Sequence, residues 1–142
     1  FIVVYLCQLC NLMIKFNFLG KNFMDVVAQE VGIDNANVQT IANWLSSGEA
    51  LLVDVRETSE FEKEHIPGAL LVPLSVLNPQ TFPHFQIKKL VLYCTTGIRS
   101  NAAAKMLIKA GHKPPISMAG GIETWRKAGL ETEIFDEPKN IK

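Results

Sequence analysis

Leu90-Val91-Leu92-Tyr93-Cys94-Thr95-Thr96-Gly97-Ile98-Arg99-Ser100 is the stretch that decides the fold class. Its first four residues are all apolar or aromatic. An unbroken run of that kind reads as a strand over residues 90–93 buried on both faces of a parallel sheet. A loop over residues 94–99 follows. Beyond it, Ala102, Ala103, Met106, Leu107 and Ala110 recur at helical spacing before Gly111, which predicts a helix over residues 100–110.

The same alternation extends in both directions. Upstream, Val38, Ile41, Ala42 and Leu45 predict a helix over residues 38–45, with Asn37 as N-cap and Gly48 as stop. Residues 50–55 are apolar except for Asp54 and read as a second buried strand. Residues 58–64 form a short polar helix capped by Thr58 or Ser59. Ile66-Pro67-Gly68 is a turn, and residues 69–72 are a further buried strand ending at Pro73. Residues 75–88 read as a loop with a short helix. Downstream, residues 116–118 are another strand, and Gly120-Gly121 leads into a last helix through Trp125 and Lys127. Residues 131–142 are a polar tail. A fifth strand is expected near residues 31–34. Strands alternating with helices argue for an α/β domain with a parallel sheet. Ligands in such sheets bind beyond the carboxyl ends of the strands.

Composition narrows the function classes. The chain has 142 residues, room for one domain, and 14 basic residues balance 14 acidic ones. A neutral chain lacks the basic surface of a nucleic-acid binder, so no nucleic-acid partner is expected. Three cysteines are too few for a secreted disulfide framework, which favours a reducing, cytoplasmic setting.

Residues 1–23 differ from the rest and are set apart from a domain over residues 24–142. They hold no acidic residue and do not begin with Met. The composition favours upstream sequence ahead of a start at Met24, which would remove Lys15 and Lys21 and leave a net charge of −2. A membrane anchor is the second reading, although the apolar run before Lys15 falls short of the roughly 20 residues a spanning helix needs. A signal peptide is the third, without a basic start or a small-residue cleavage site. A membrane partner is expected only if the anchor is real. Cys7 and Cys10 form a CxxC pair here, but a zinc site needs four ligands and no second pair exists.

The chemistry concentrates at Cys94. A buried strand delivers it to the carboxyl edge of the sheet, with a helix starting about six residues later. A short loop between them turns backbone amides inward, as an anion-binding nest does. The helix amino end adds partial positive charge and Arg99 a full one. Thr95, Thr96 and Ser100 add hydroxyls, Ile98 completes the loop, and Gly97 permits a positive φ. These features favour a thiolate and lower the Cys94 pKa. The competing reading is an inert core cysteine continuing the strand.

With these residues in order, the sequence resembles the rhodanese family, over about residues 37–130. Asp54-Val55-Arg56-Glu57 resembles the family's strand-end motif. Glu60-Phe61 with His65-Ile66-Pro67-Gly68-Ala69 resembles its Gly-His-Ile-Pro-Gly-Ala segment, with Glu64 in place of the usual glycine. Cys94 to Arg99 resembles the six-residue active loop, and Gly120-Gly121-Ile122 with Trp125 resembles the closing motif. The resemblance implies a three-layer fold with about five parallel strands flanked by helices. It implies sulfur transfer through a persulfide on Cys94, from thiosulfate or a related donor to a thiol, a protein or cyanide. It calls for no metal and no organic cofactor. Glu64 is expected to alter a turn and not the chemistry.

Asp54 and Arg56 are read as supporting residues. They form either a strand-end ion pair or, in the alternative, a brace on loop amides (Asp54) and a second cation for an anion (Arg56). His65 is expected to anchor its turn and His112 to cap helix carbonyls. Lys88 and Lys89 are expected to be solvated. Three other functions compete: a persulfide relay between proteins with little thiosulfate activity, a non-catalytic binding module, and a cysteine phosphatase or arsenate reductase. The binding modules usually lack the cysteine. The phosphatases and arsenate reductases commonly use Cys-x5-Arg, whereas Arg99 lies five positions after Cys94 and Ser100 six.

Overall fold

The computed structural model describes residues 32–134. The expectations for residues 1–23, including the Cys7–Cys10 pair and the start at Met24, lie outside the described residues. In chain order the elements are β1 (Asn35–Ala36), α1 (Val38–Ser46), β2 (Ala50–Asp54), α2 (Thr58–Lys63), β3 (Leu70–Leu71), β4 (Lys89–Tyr93), α3 (Ile98–Lys109), β5 (Ile116–Met118) and α4 (Gly121–Lys127). The strands form one parallel five-stranded sheet in the order β1-β5-β4-β2-β3.

Strand β4 is central, and its side chains alternate between two cores. Val91 and Tyr93 pack with Leu52, Val38, Ile41, Met118, Ile122 and Trp125, on the side of α1 and α4. Leu92 and Cys94 pack with Val53, Val55, Ala103, Ala104 and Leu107, on the side of α3. Both faces are covered, so the strand has no polar alternation. The period of two also fixes the side to which Cys94 points, towards α3.

Several elements differ from their sequence reading. The fifth strand is Asn35–Ala36 and not residues 31–34. Its position is set by backbone pairing with β5, where Ser117 N donates to Asp34 O at 2.8 Å and Ala119 N to Ala36 O at 2.9 Å. Strand β3 has only two residues, and Leu70 is 44% exposed, because an edge strand with one neighbour leaves a face open. Residues 75–88 contain no helix but successive turns, which seat Leu77 and Phe82 in the core beside α3. Helix α2 is capped by Glu57, not by Thr58 or Ser59, since the Glu60 carboxylate turns back to accept the Glu57 amide at 3.1 Å. The beginning of the polar tail belongs to the fold. Glu133 and His65 exchange backbone hydrogen bonds of 2.9 and 2.8 Å, and Trp125 Nε1 donates to Glu131 O at 2.8 Å.

The carboxyl end of β2 carries a buried ion pair. Asp54 and Arg56 are both buried. Asp54 Oδ1 accepts from the Arg56 amide at 2.9 Å and from Arg56 Nε at 3.0 Å, and Oδ2 accepts from Nη2 at 2.6 Å. Nη2 also donates to Glu64 O at 2.7 Å, and the guanidinium lies 5.6 Å from the centroid of the Tyr93 ring. Both carboxylate oxygens, Nε and Nη2 are therefore engaged, which offsets the cost of burying charge. The pair ties β2, the end of α2 and Tyr93 together one residue before Cys94. Lys89 is likewise less solvated than expected: it donates to Glu49 at 2.9 Å and lies 4.9 Å from the Trp44 ring centroid.

Removing one partner strands a buried charge. Asp54→Ala is expected to cost about 3–5 kcal/mol in urea unfolding. The Asp54→Ala, Arg56→Met double variant is expected to cost less than the sum of its singles. Fully additive losses would show that the two side chains are not coupled.

Candidate active site

The turn after β4 is shaped by the amino end of α4. Ile122 N donates to Cys94 O at 2.9 Å, and Glu123 N donates to Thr95 O at 3.3 Å. Gly121 makes this approach possible, because a Cβ there would collide with both of those carbonyl oxygens. With two successive carbonyls turned to α4, the amides that follow face the sulfur. Gly97 N donates to Cys94 Sγ at 3.1 Å. Gly97 adopts φ 106°, a conformation that residues with a Cβ resist, and it caps α3. The helix thus begins at Ile98, earlier than the spacing of apolar residues predicts, and its first turn lies directly against the thiol.

Cys94 is only 1% exposed. Burial by itself pushes its thiol up. The opposing influences are hydrogen bonds from the Ser100 and Gly97 amides, the Ser100 hydroxyl and the Thr96 amide, and together they bring the Cys94 pKa below its ordinary value. Ser100 Oγ lies 3.8 Å from Sγ. Of the loop amides, Gly97 N makes the hydrogen bond to the sulfur, with the Ser100 hydroxyl beside it.

Apart from Ser100, the charged and hydroxyl groups of the loop are turned away from the sulfur. Arg99 does not turn to the sulfur. Its Nη1 donates to Glu60 Oε2 at 2.6 Å, and its Nη2 donates to Glu60 Oε1 and to Thr95 Oγ1, both at 2.8 Å. The Thr95 hydroxyl itself donates to Glu60 Oε1 at 3.1 Å. The physical reason is the helix terminus: a cation in the first turn of α3 is unfavourable without an anion beside it, and Glu60 supplies one. Hydrogen bonding from Arg99 is the largest influence on Glu60 and holds its carboxyl down to about 2. Thr96 has an exposed side chain and contributes its amide, while Ile98 is 77% exposed at the loop surface. Asp54 binds Arg56 and not the loop amides, which is the structural alternative of the two readings.

Glu60 is the residue that sequence reasoning missed. The Glu57-x-x-Glu60 spacing signals a cap, but nothing in the chain marks a partner 39 positions away. Glu64, where the family usually has glycine, sits at φ −163°, extended backbone open to any residue. Its carboxylate accepts from Thr132 Oγ1 at 2.9 Å and faces Arg126 at 3.5 Å, so it secures the tail rather than the loop. His65 does hold its turn, with Nδ1 2.9 Å from Phe61 O and Nε2 3.0 Å from Glu133. The His112 ring meets Pro79 O at 2.6 Å, across the fold, instead of capping its own helix. Among the described residues, no group of three or more His, Cys, Asp and Glu is placed to hold a metal ion.

A family model described as Rhodanese-like domain matches residues 37–128. The chain belongs to the rhodanese family. It is 42% identical over 94 residues to an uncharacterized protein of Synechocystis, slr1261, covering 66% of this chain and 52% of that one. It is 31% identical over 110 residues to a putative sulfur carrier protein of Bacillus subtilis, YrkF, covering 77% and 60%. This chain thus spans between half and two thirds of the length of these two curated relatives. Among solved structures, the human single-domain sulfurtransferase TSTD1 superposes with a TM-score of 0.58 at 27% identity, covering 68% of this chain and 97% of that one. The rhodanese-like fold, a parallel five-stranded sheet between helices, is the one the resemblance implies, and its parallel α/β character is what the strand and helix alternation predicts. No helix among the described residues is long and apolar enough to cross a membrane.

The Glu60–Arg99 pair has an acid signature. Glu60 titrates at about 2 in the fold against 4.5 in a model peptide, so the stability it adds is complete above about pH 4.5. That stability is lost as pH falls towards 2. Its size is reduced by solvent, since both side chains are about one third exposed. Thermal melts from pH 7 to pH 2 are expected to show a steeper fall in Tm below pH 4.5 for wild type than for Glu60→Gln. Parallel curves would mean that the pair does not stabilise the fold.

Proposed function

We propose that Cys94 carries a sulfane sulfur as a persulfide, taking it from a small donor and passing it to a thiophilic acceptor. The observation that supports this most directly is the Gly97 amide donating to Sγ at 3.1 Å, with the Ser100 hydroxyl 3.8 Å away, at the start of α3. An array of donors fixed in place stabilises an anionic sulfur without reorganisation, for a thiolate and for a persulfide alike.

With thiosulfate as donor, the Cys94 thiolate attacks the outer sulfur. The S–S bond of thiosulfate breaks, its electron pair leaves with sulfite, and Cys94 holds a persulfide anion. In the second step a nucleophile attacks the terminal sulfur of that persulfide. The S–S bond to Cys94 breaks and the thiolate is regenerated. Cyanide yields thiocyanate, and a thiolate yields a new persulfide. Charge and electrons balance in both steps with no cofactor, and one difficult transfer becomes two easier ones. Thr95, Ile98 and Arg99 shape the loop, and Asp54 with Arg56 hold the strand end beneath it.

Glu60 favours one donor class over another. The loop's one cation already has its terminal nitrogens on Glu60 and Thr95. A dianion such as thiosulfate therefore meets no free positive charge from Arg99. A persulfide donor carries at most one charge at its reacting end and needs none. The preferred version of the proposal is accordingly a relay between thiols, with the exposed, apolar Ile98 beside the mouth for a partner surface. The same pairing speaks against a phosphatase, whose tetrahedral dianion needs an arginine turned into the loop.

The test uses the full chain, incubated with thiosulfate or with glutathione persulfide, capped, and digested with trypsin. The peptide over residues 90–99 contains Cys94 and neither of the other cysteines. Its mass is expected to rise by one sulfur, about 32 Da, removable by cyanide and absent in Cys94→Ala. Loading is expected to be faster from the persulfide than from thiosulfate, and Glu60→Gln is expected to speed the thiosulfate reaction. No adduct from either donor would overturn sulfur transfer, whereas faster loading from thiosulfate would overturn the relay alone.

A further inference from the structure

Behind the sulfur lies a second hydroxyl that no sequence motif marks. Ser117, on β5, is completely buried and stands in register with Leu92 of β4. Its Oγ is 2.8 Å from Ser100 Oγ, and Ser100 is also completely buried. Among the described residues Ser117 Oγ has no other hydrogen-bond partner. Ser100 Oγ in turn lies 3.0 Å from Gly97 O and 3.8 Å from Cys94 Sγ.

Counting protons gives this chain a direction. A hydroxyl has one proton to give and two lone pairs to receive. If Ser100 donated to Ser117, the Ser117 proton would be left without an acceptor in a site closed to water, which is costly. Ser117 is therefore the donor and Ser100 the acceptor. The single Ser100 proton then has two destinations, Gly97 O and Cys94 Sγ. Gly97 O does not depend on it, because the Asn101 amide already donates there at 3.1 Å.

We propose that Ser117 is a positioning residue for Cys94: by donating to Ser100 Oγ it orients that hydroxyl so that its one proton can turn from Gly97 O to the sulfur anion. In the neutral thiol, the Cys94 S–H points to the second lone pair of Ser100 Oγ, and Ser100 donates to Gly97 O. Once the sulfur is an anion, Ser100 turns its proton to Sγ, while Gly97 O keeps its bond from Asn101. The bond from Ser117 polarises the Ser100 O–H and makes it a better donor in the anionic state. No bond to a heavy atom forms or breaks in the switch, and only a hydroxyl rotates. The inference deepens the reading of Cys94 as a sulfur-carrying nucleophile and rests on it for its purpose.

The readout is the pH dependence of Cys94 alkylation by iodoacetamide in the full chain, followed on the peptide over residues 90–99. Cys7 and Cys10 do not contribute to that peptide. Ser117→Ala is expected to raise the midpoint by about half a pH unit to one unit, the size of a single hydrogen bond to one protonation state. In a Ser100→Ala background the same change is expected to shift nothing further, since the effect passes through Ser100. Arg99, the charged group coupled to Cys94, stays paired with Glu60 in every variant. Ser117→Thr and Ser117→Val add the same volume and differ only in the hydroxyl, so they carry the comparison if the alanine variant folds poorly. Threonine is expected to keep a midpoint lower than valine.

An unchanged midpoint in Ser117→Ala, or equal midpoints for threonine and valine, would overturn the proposal. So would a full shift in the Ser100→Ala background. Loss of sulfur loading in the wild type is a separate result. It would remove the sulfur-transfer reading and leave the titration standing or falling on its own.

Discussion

Two carbonyls decide the conformation of the loop. Those of Cys94 and Thr95 are held by the first amides of α4, through an approach that only glycine at position 121 allows. A peptide unit has its carbonyl and its amide on opposite sides, so holding the Thr95 carbonyl on α4 turns the Thr96 amide the other way. The sulfur then sits between two helix amino ends with different tasks. The end of α4 is used up on backbone carbonyls, while the first turn of α3 keeps its amides for Sγ. Gly97, at positive φ, is the joint between them.

The other constraint is charge. Asp54 and Arg56 satisfy each other inside the protein, and their geometry depends on Glu64 O and Tyr93 as well. Such a pair contributes little net stability over an apolar one, but it is intolerant of displacement. Placed at the end of β2, it locks the strand beside β4 one residue before Cys94. It therefore acts on the site through position and not through direct contact with the sulfur.

What was legible in the sequence is what local pattern determines. The unbroken run ending at Tyr93 gave a strand buried on both sides, because both faces are covered. The paired glycines at 120 and 121 marked the turn into α4, though not the close backbone approach that Gly121 allows. Asn37 was readable as a cap, and its side chain does accept the Thr40 amide at 2.9 Å. The illegible parts depend on residues far apart in the chain. Strand β1 is defined by pairing with β5 and has no apolar pattern of its own. Residues 131–133 are polar, yet the Glu133 backbone pairs with His65. The direction of Arg99 could not be read from the loop, since its partner lies on α2. Ser117 looked like an ordinary strand residue until α3 placed Ser100 over it.

Glu60 links these observations. One carboxylate closes the amino end of α2, accepts a hydrogen bond from the Thr95 hydroxyl and binds Arg99 through both terminal nitrogens. By cancelling the Arg99 charge it leaves the sulfur with only the amino end of α3 and the neutral donors around it. A helix terminus amounts to roughly half an elementary charge. That is matched to a single anionic sulfur, thiolate or persulfide, and poorly matched to a dianion. An uncancelled arginine would raise affinity for small dianions and would also hold a leaving sulfite longer. Under the proposed relay, the pairing with Glu60 therefore trades capture of anions from solution for a site that takes up and gives away one sulfur at nearly constant charge.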